Sequence, residues 1–126
     1  MYYQINEKWS WVWAVSINLE GLKGLLKSTG YPVFRDKAAS NAKYPYIVYS
    51  FVSEDIKMAG SRVHKTLPLY QVSLFTTGTE EEFRSIIHAF DSVRVPTTGV
   101  MAIVGDENDD TVTNYFVQVR VVEDAG

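Results

Sequence analysis

Residues 44–52, YPYIVYSFV, do most to decide the fold class. Aromatic and β-branched residues fill this stretch, and these residues favour a strand. Such a strand would be apolar on both faces, with Ile47, Tyr49 and Phe51 on one and Tyr46, Val48 and Val52 on the other. We therefore expect it to be covered on both sides or to lie at a subunit contact. Pro45 lacks an N–H and should stand at the start of the strand.

The residues before this strand predict a short amphipathic helix. Four leucines recur at spacings of three and four: Leu19, Leu22, Leu25 and Leu26. Ser16 or Asn18 can cap the start of the helix, and Gly30 can take the left-handed conformation at its end. Residues 31–34 then predict a short strand, and residues 35–43 predict a loop.

The residues after it predict a long connection and a return strand. Residues 53–65 carry mixed charge and place Gly60 near their middle. We expect them to form a long loop that is mobile in an isolated subunit and becomes ordered on a neighbour. Residues 66–77 predict the return strand, with one apolar face and one more polar face.

A second helix is predicted to start with a capping box. In this motif the Thr79 hydroxyl would accept from the Glu82 N–H while Glu82 reaches back to the helix start. A stripe with helical spacing follows and should pack on a sheet: Phe83, Ile86, Ile87 and Phe90. Residues 100–104 and 111–122 predict two final strands, the second with a valine-rich face.

Together these elements predict an α+β fold with the order α-β-β-β-α-β-β. We expect an antiparallel or mixed sheet of four to five strands with two helices packed against it. The 126 residues suffice for one domain and not for two. We expect residues 1–16 to form an N-terminal aromatic arm and residues 17–126 to form a single domain.

Composition excludes several classes of function. The chain has no cysteine, which rules out disulfides, thiolate catalysis and Cys-type zinc sites. A net charge of −3 argues against non-specific binding to phosphate backbones, which requires clustered Lys and Arg. No apolar run approaches the roughly 20 residues of a membrane-spanning helix, so no membrane partner is expected.

An acidic cluster in residues 105–116, GDENDDTVTNYF, is the first place to look for chemistry. Asp106, Glu107, Asp109 and Asp110 could supply oxygen ligands to Ca²⁺ or Mg²⁺. Their spacing differs from that of an EF-hand loop, which alternates its ligands and needs a central glycine and a distal Glu. A solvated turn between two strands is the reading we favour, and the ion site is the alternative.

No catalytic residue, metal ligand or cofactor site is predicted. Neither His64 nor His88 has a ligand partner three or four residues away, and no nucleophile-elbow, P-loop or Rossmann pattern occurs. We therefore expect a structural role without turnover. An enzymatic or metal-binding domain built on residues 106–110 is the competing reading.

Two further groups of residues are candidates for contacts with partners. Lys57, Arg62 and Lys65 cluster in the predicted loop. In the N-terminal arm, Trp9, Trp11 and Trp13 alternate with smaller residues, and an aromatic stripe of this kind either packs on the domain's own core or docks on a neighbouring subunit.

Four stretches resemble a known family when taken in order. They are LKGLLKSTGYPVF, KYPYIVYSFVS, LPLYQVSLFTT and GDENDDTVTNYF with the valine-rich strand after it. Their order and spacing resemble the tail terminator or tail completion proteins of long-tailed bacteriophages and prophages, over about residues 17–122. The three tryptophans lie outside this resemblance.

The resemblance implies a non-enzymatic subunit of the virion, made in the host cytoplasm. It implies a ring, commonly of six subunits, that caps the tail tube and joins it to the head connector. Subunits of such rings can be monomers until assembly begins. In a ring around passing DNA, the acidic loop would face the channel or an adjoining ring and would repel the duplex. Another neck component, such as a head-closure or minor capsid protein, is the alternative.

Overall fold

The computed structural model describes residues 15–107 and 110–124. The predicted arm, with Trp9, Trp11 and Trp13, therefore lies outside the described residues apart from its last two positions. The helices and strands are α1 Leu19–Lys27, β1 Val33–Arg35, β2 Tyr46–Ala59, β3 Arg62–Thr76, a 3₁₀ helix Glu80–Phe83, α2 Arg84–Ser92, β4 Met101–Glu107, β5 Asp110–Arg120 and β6 Glu123–Asp124.

One mixed sheet has the strand order β1-β2-β3-β5-β4. The short β1 pairs with β2 in parallel, whereas β2–β3, β3–β5 and β4–β5 are antiparallel. The two-residue β6 pairs with β3 near Lys65 and Thr66. The predicted α+β fold and its order α-β-β-β-α-β-β are confirmed, with β6 and the 3₁₀ helix as additions.

The hydrophobic core lies between the two helices and one face of the sheet. Its members are buried and come from α1, β2, β3, the 3₁₀ helix, α2, β5 and the residues that follow α2 and β5: Leu22, Leu26, Ile47, Tyr49, Tyr70, Val72, Leu74, Phe83, Ile86, Phe90, Val95, Val117, Val119 and Val121. The predicted apolar faces of the return strand and of the last strand are therefore confirmed.

The first helix begins as predicted. The Asn18 side chain accepts a hydrogen bond from the Gly21 N–H at 2.8 Å, which satisfies one of the orphan donors of the first turn. Gly30 has a φ of +88°, the left-handed conformation expected beyond the helix end.

The predicted capping box at the second helix is wrong. Thr79 makes no side-chain cap, and a 3₁₀ turn precedes α2. The Glu82 carboxylate instead accepts from the hydroxyl of the buried Thr76 at 3.1 Å, and that hydroxyl accepts from the Gly78 N–H at 2.9 Å. Glu82 is thus drawn to the end of β3 because a buried hydroxyl there needs a partner.

The predicted stripe of α2 is wrong at one position. Phe83, Ile86 and Phe90 are buried, but Ile87 is 41% exposed. Since 100° of helical rotation separates adjacent residues, Ile86 points into the core and Ile87 lies at the edge of the helix face.

The predicted loop at residues 53–65 is wrong as well. These residues continue β2 and β3 to a two-residue turn at Gly60 and Ser61, where Gly60 has a φ of +65°. Backbone pairing holds the two strands together, with register shifts after Phe51 and after Lys57. Residues 51–65 are called the ribbon below, because β1 pairs with β2 only as far as Tyr49 and the two strands then extend beyond the core.

Three of the four acidic residues lie in strands rather than in the predicted loop: Asp106, Glu107 and Asp110. β4 extends to Glu107, where the sequence predicted its end at residue 104, and β5 begins at Asp110. The register pairs Asp106 with Thr111 and Glu107 with Asp110. Asp106, Glu107 and Asp110 therefore belong to the paired end of the β4–β5 hairpin.

Candidate interaction surfaces

The ribbon carries the first of two exposed apolar patches. In the described part of the chain, twelve large hydrophobic side chains are exposed, and five of them lie in the ribbon: Phe51, Val52, Ile56, Met58 and Val63. A two-stranded hairpin alone is marginally stable in water. Exposed apolar side chains on such an element indicate a contact surface.

A basic groove lies beside the ribbon, with a volume of about 540 Å³. Lys57, His64, Lys65 and Arg120 line it together with Leu67. The register sets Lys57 directly opposite Lys65. Like charges at such a position are destabilising, so an anionic group seated here would relieve the strain on the ribbon.

Two of these cations have no ionic partner in the described residues. Neither Lys57 nor Lys65 forms a salt bridge there, and Asp55 lies 3.7 Å from Arg120 instead. Arg120 also donates a hydrogen bond of 2.7 Å to the Leu67 carbonyl, which fixes its guanidinium at the base of the ribbon. The two lysines are the cations left for a partner.

Strand β4 carries the second apolar patch. Val100, Met101, Ile103 and Val104 are all exposed, and β4 is an edge of the sheet formed by the described strands. Soluble proteins usually blunt a free edge with Lys, Pro or a bulge. Residues 101–105, MAIVG, contain neither Lys nor Pro, and their pairing with β5 has no register shift.

The acidic end of the β4–β5 hairpin adjoins this patch. Asp106 is exposed, and its hydrogen-bond partner is the Thr111 hydroxyl at 3.4 Å. Residues 101–114 contain Asp106, Glu107, Asp109 and Asp110 and neither Lys nor Arg. Asp109 lies outside the described residues, and so do the side chains of Glu107 and Asp110.

Beside Asp106 lies a small groove with an unsatisfied polar atom. Phe75, Ile103, Val112 and Asn114 line this groove, which has a volume of about 190 Å³. Asn114 Oδ1 is buried and accepts no hydrogen bond in the described part of the protein. Because buried polar atoms are normally paired, a donor from another chain would find an acceptor here.

An aromatic cluster occupies the sheet face that carries no helix. The Tyr46 ring stacks on Tyr44 and Phe75 at centroid distances of 5.5 Å, and Phe34 meets it edge-on at 5.9 Å. Tyr46 and Val48 are buried on this face, and Ile47 and Tyr49 are buried on the other. The prediction that the strand start is covered on both sides is thus confirmed for residues 46–49, whereas Phe51 and Val52 are exposed.

The structure brings some of the basic residues predicted from the sequence together and leaves one apart. The structure brings Lys57 and Lys65 together as register partners, while Arg62 stands at the tip beside the turn. Sequence reasoning missed His64 and Arg120 as members of the basic groove, and it missed the exposed edge of β4. No group of three or more acidic or histidine side chains that could hold a metal ion occurs in residues 15–107 and 110–124.

None of the helices within the described ranges has the length and apolar character needed to cross a membrane.

No protein-family model matches the chain, and no curated protein matches it. Among solved structures, it is similar to a chain from "Virion of native gene transfer agent (GTA) particle". The TM-score is 0.42 and the sequence identity 14%, and the likeness covers 83% of this chain and 89% of the other. At this identity and TM-score the likeness assigns this chain neither a family nor a function.

Proposed function

We propose that this chain is a structural subunit of a phage or prophage tail. It assembles into a ring, six subunits in number, that caps the tail tube and joins it to the head connector. It performs no chemical turnover. The place of action is the virion, after assembly in the host cytoplasm, and DNA passes through the ring without specific binding.

The observation that carries the proposal is the placement of the exposed apolar residues. Of the twelve in the described residues, five lie in the ribbon and four in or next to β4. The sheet order puts these two patches on different edges of one subunit. A subunit of a closed ring must contact a neighbour on each of two sides, and two separate patches supply those contacts.

The resemblance in sequence supports the kind of assembly that we propose. The resemblance to tail terminator proteins spans about residues 17–122, and both patches lie within that span. Of the patch residues, Phe51 and Val52 fall within the stretches that carry the resemblance, and the β4 patch directly precedes the last of those stretches.

Co-assembly with the neighbouring virion parts tests the proposal. The tagged full-length chain would be expressed with the tail tube protein of the same phage or prophage and, separately, with its head connector proteins. We expect the chain to copurify with tail tubes and to appear by electron microscopy as a ring at one tube end. Copurification with connector complexes alone would favour the head-closure or minor capsid alternative, and binding to neither would overturn the structural role.

A matched pair of variants sharpens this experiment. Ile103→Lys places a charge in the β4 patch, whereas Val93→Lys changes an exposed hydrophobic residue outside both patches. We expect the first variant to lose ring formation and the second to keep it. Equal behaviour of the two variants would show that β4 takes no part in assembly.

A further inference from the structure

The two exposed patches also differ in charge and in the edge that each presents. Beyond Tyr49, where β1 ends, no described strand pairs with the outer edge of β2, and this open edge holds Lys57. The outer edge of β4 is likewise unpaired among the described strands, and β4 ends at the acidic Asp106 and Glu107. In the order β1-β2-β3-β5-β4 these two edges lie on opposite sides of the sheet.

We propose that β4 of one copy pairs with the open outer edge of β2 in the ribbon of the next copy. This heterologous contact would extend the sheet from subunit to subunit and would seat the acidic end of β4 near Lys57 and Lys65. The inference rests on the proposed function, because it names the contact by which the ring would close.

A single chain cannot make this contact with itself. β4–β5 closes near the end of β3 at Thr76, while the ribbon turns at the start of β3 at Arg62. With 15 residues in β3 and a rise of about 3.3 Å per residue, the two ends are about 50 Å apart. The partner that offers the matching edge must be a second copy.

Charge complementarity favours the head-to-tail arrangement over a two-fold one. Because residues 101–114 contain neither Lys nor Arg, a β4-to-β4 contact would place no cation opposite the carboxylates. A β4-to-ribbon contact brings those carboxylates to the two lysines that have no ionic partner in the described residues. Such a contact repeats from copy to copy and closes a ring if the rotation permits.

The apolar side chains favour a protein partner over a nucleic acid. Ile56 and Met58 flank Lys57 along the ribbon, and Ile103 and Val104 precede Asp106 along β4. A phosphate backbone would neutralise the lysines but would leave these apolar residues in water. Main-chain pairing with apolar side chains in register is the usual way in which a free strand edge recognises another strand.

Cross-linking between introduced cysteines tests the contact directly, because the natural chain has no cysteine. Val104→Cys and Ile56→Cys would be prepared as separate full-length proteins, with Val93→Cys as the exposed control. A short flexible bismaleimide is suitable, since side chains across paired strands lie within about 4.5–8 Å.

The head-to-tail contact predicts one pattern of products. A mixture of Val104→Cys and Ile56→Cys should yield severalfold more cross-linked dimer than either protein alone or any mixture with Val93→Cys. Added salt should lower this yield by screening the charges. The double variant Val104→Cys with Ile56→Cys should give a ladder of products that ends at the number of subunits in the ring.

Other patterns would overturn the inference. Dimers formed by Val104→Cys alone would show a two-fold β4 contact. A mixed yield no higher than that of the control, at concentrations where the chain is oligomeric or bound to tail tubes, would show that the edges do not meet. If the cross-link forms but the protein never binds tail tubes, the contact stands and the proposed function fails. If tubes are capped without the cross-link, the reverse holds.

Charge exchange gives an independent readout. Asp106→Lys and Lys57→Glu should each weaken self-association when tested alone, and an equimolar mixture of the two should restore it. Sedimentation velocity would measure the oligomer fraction. If that fraction is no larger in the mixture than in either variant alone, the proposed pairing of charges is wrong.

Discussion

Residues 46–49 and 51–59 belong to one strand, β2, and pair with one partner, β3, yet their surroundings are opposite. Tyr46, Ile47, Val48 and Tyr49 are all buried, whereas every residue from 51 to 59 is exposed. The helices and β1 cover the first part only, whereas β5 reaches Leu69, opposite Ser53, and the two-residue β6 pairs with Lys65 and Thr66. Backbone pairing thus continues for 10 residues past the place where the core ends.

The two parts of β2 are held in place by different interactions. The base of the hairpin is held by burial of apolar area, which is worth roughly 25 cal/mol per Å². The ribbon is held mainly by cross-strand hydrogen bonds, which contribute little net stability when both partners can bond to water instead. Its apolar side chains are exposed in the part of the protein that the structure describes.

Amide hydrogen exchange should show the largest contrast between base and ribbon. In the monomer, amides at Ile47 and Val72 should exchange only through global unfolding, at a free energy on the order of 5–15 kcal/mol. Ribbon amides such as that of Met58 should exchange through local opening at far lower free energy and should slow on assembly. Uniformly slow exchange across residues 51–65 of the monomer would show that the ribbon needs no partner.

Two isoleucines of β2 give a matched test by mutation. Ile47 is completely buried and Ile56 is 58% exposed. Ile47→Ala should cost about 2–5 kcal/mol of unfolding free energy, because it leaves a cavity in the core. Ile56→Ala should change that free energy by no more than about 0.5 kcal/mol. Denaturant titration measures both, and equal losses would mean that the ribbon is packed on the domain itself.

Two adjacent isoleucines of α2 test how this helix packs on the core face of the sheet. Ile86 is completely buried against the sheet, and Ile87 is 41% exposed. We expect Ile86→Ala to cost about 2–5 kcal/mol and Ile87→Ala to cost clearly less, since fewer of its atoms leave water on folding. Thermal and denaturant unfolding of the pair would give the answer. A larger loss at Ile87 would place the helix in a different rotation.

The buried parts of β2 and β5 could be predicted from the sequence because their signals are local. Two-sided apolar character marked residues 46–49 as covered on both faces, and the valines of β5 marked its core face. Ile87 was wrongly predicted to be buried, because its spacing from Phe83 fits the stripe but the helix turns it to the edge of the core-facing side. The hydrogen bond that Glu82 makes could not be predicted, because its donor is Thr76, which lies in another element.

The ribbon could not be predicted, because its strands depend on pairing between distant residues. Glu54 and Asp55 together are typical of a loop, and a register shift after Phe51 interrupts the alternation of faces. A two-residue turn at Gly60 and Ser61 would by itself place Lys57 opposite His64, and the second register shift makes the partner Lys65. Arg120 joins the basic groove through β5, far away in the sequence.

The acidic end gives the smallest expected effect on folding. Neutralising Asp106, Glu107, Asp109 and Asp110 to Asn or Gln changes no residue of the core cluster found among the described residues. A matched control neutralises four other acidic residues, which are exposed: Asp36, Glu80, Glu81 and Asp91. Both variants carry the same net charge, so a difference between them reports on position alone.

We expect the neutralised acidic end to leave the unfolding free energy within about 0.5 kcal/mol of the natural chain, because surface changes away from the core cost little. Its effect should appear in assembly instead. Without the carboxylates, β4 loses its attraction to Lys57 and Lys65, and joining of tails to heads should fall while retention of DNA in low salt rises. The control should change neither property, and assembly assays with gel-shift measurements at two salt concentrations would distinguish them. Unfolding of the neutralised variant, or a calcium-dependent melting temperature in the natural chain, would show that the carboxylates hold an ion, and the metal-site interpretation would then replace the electrostatic one.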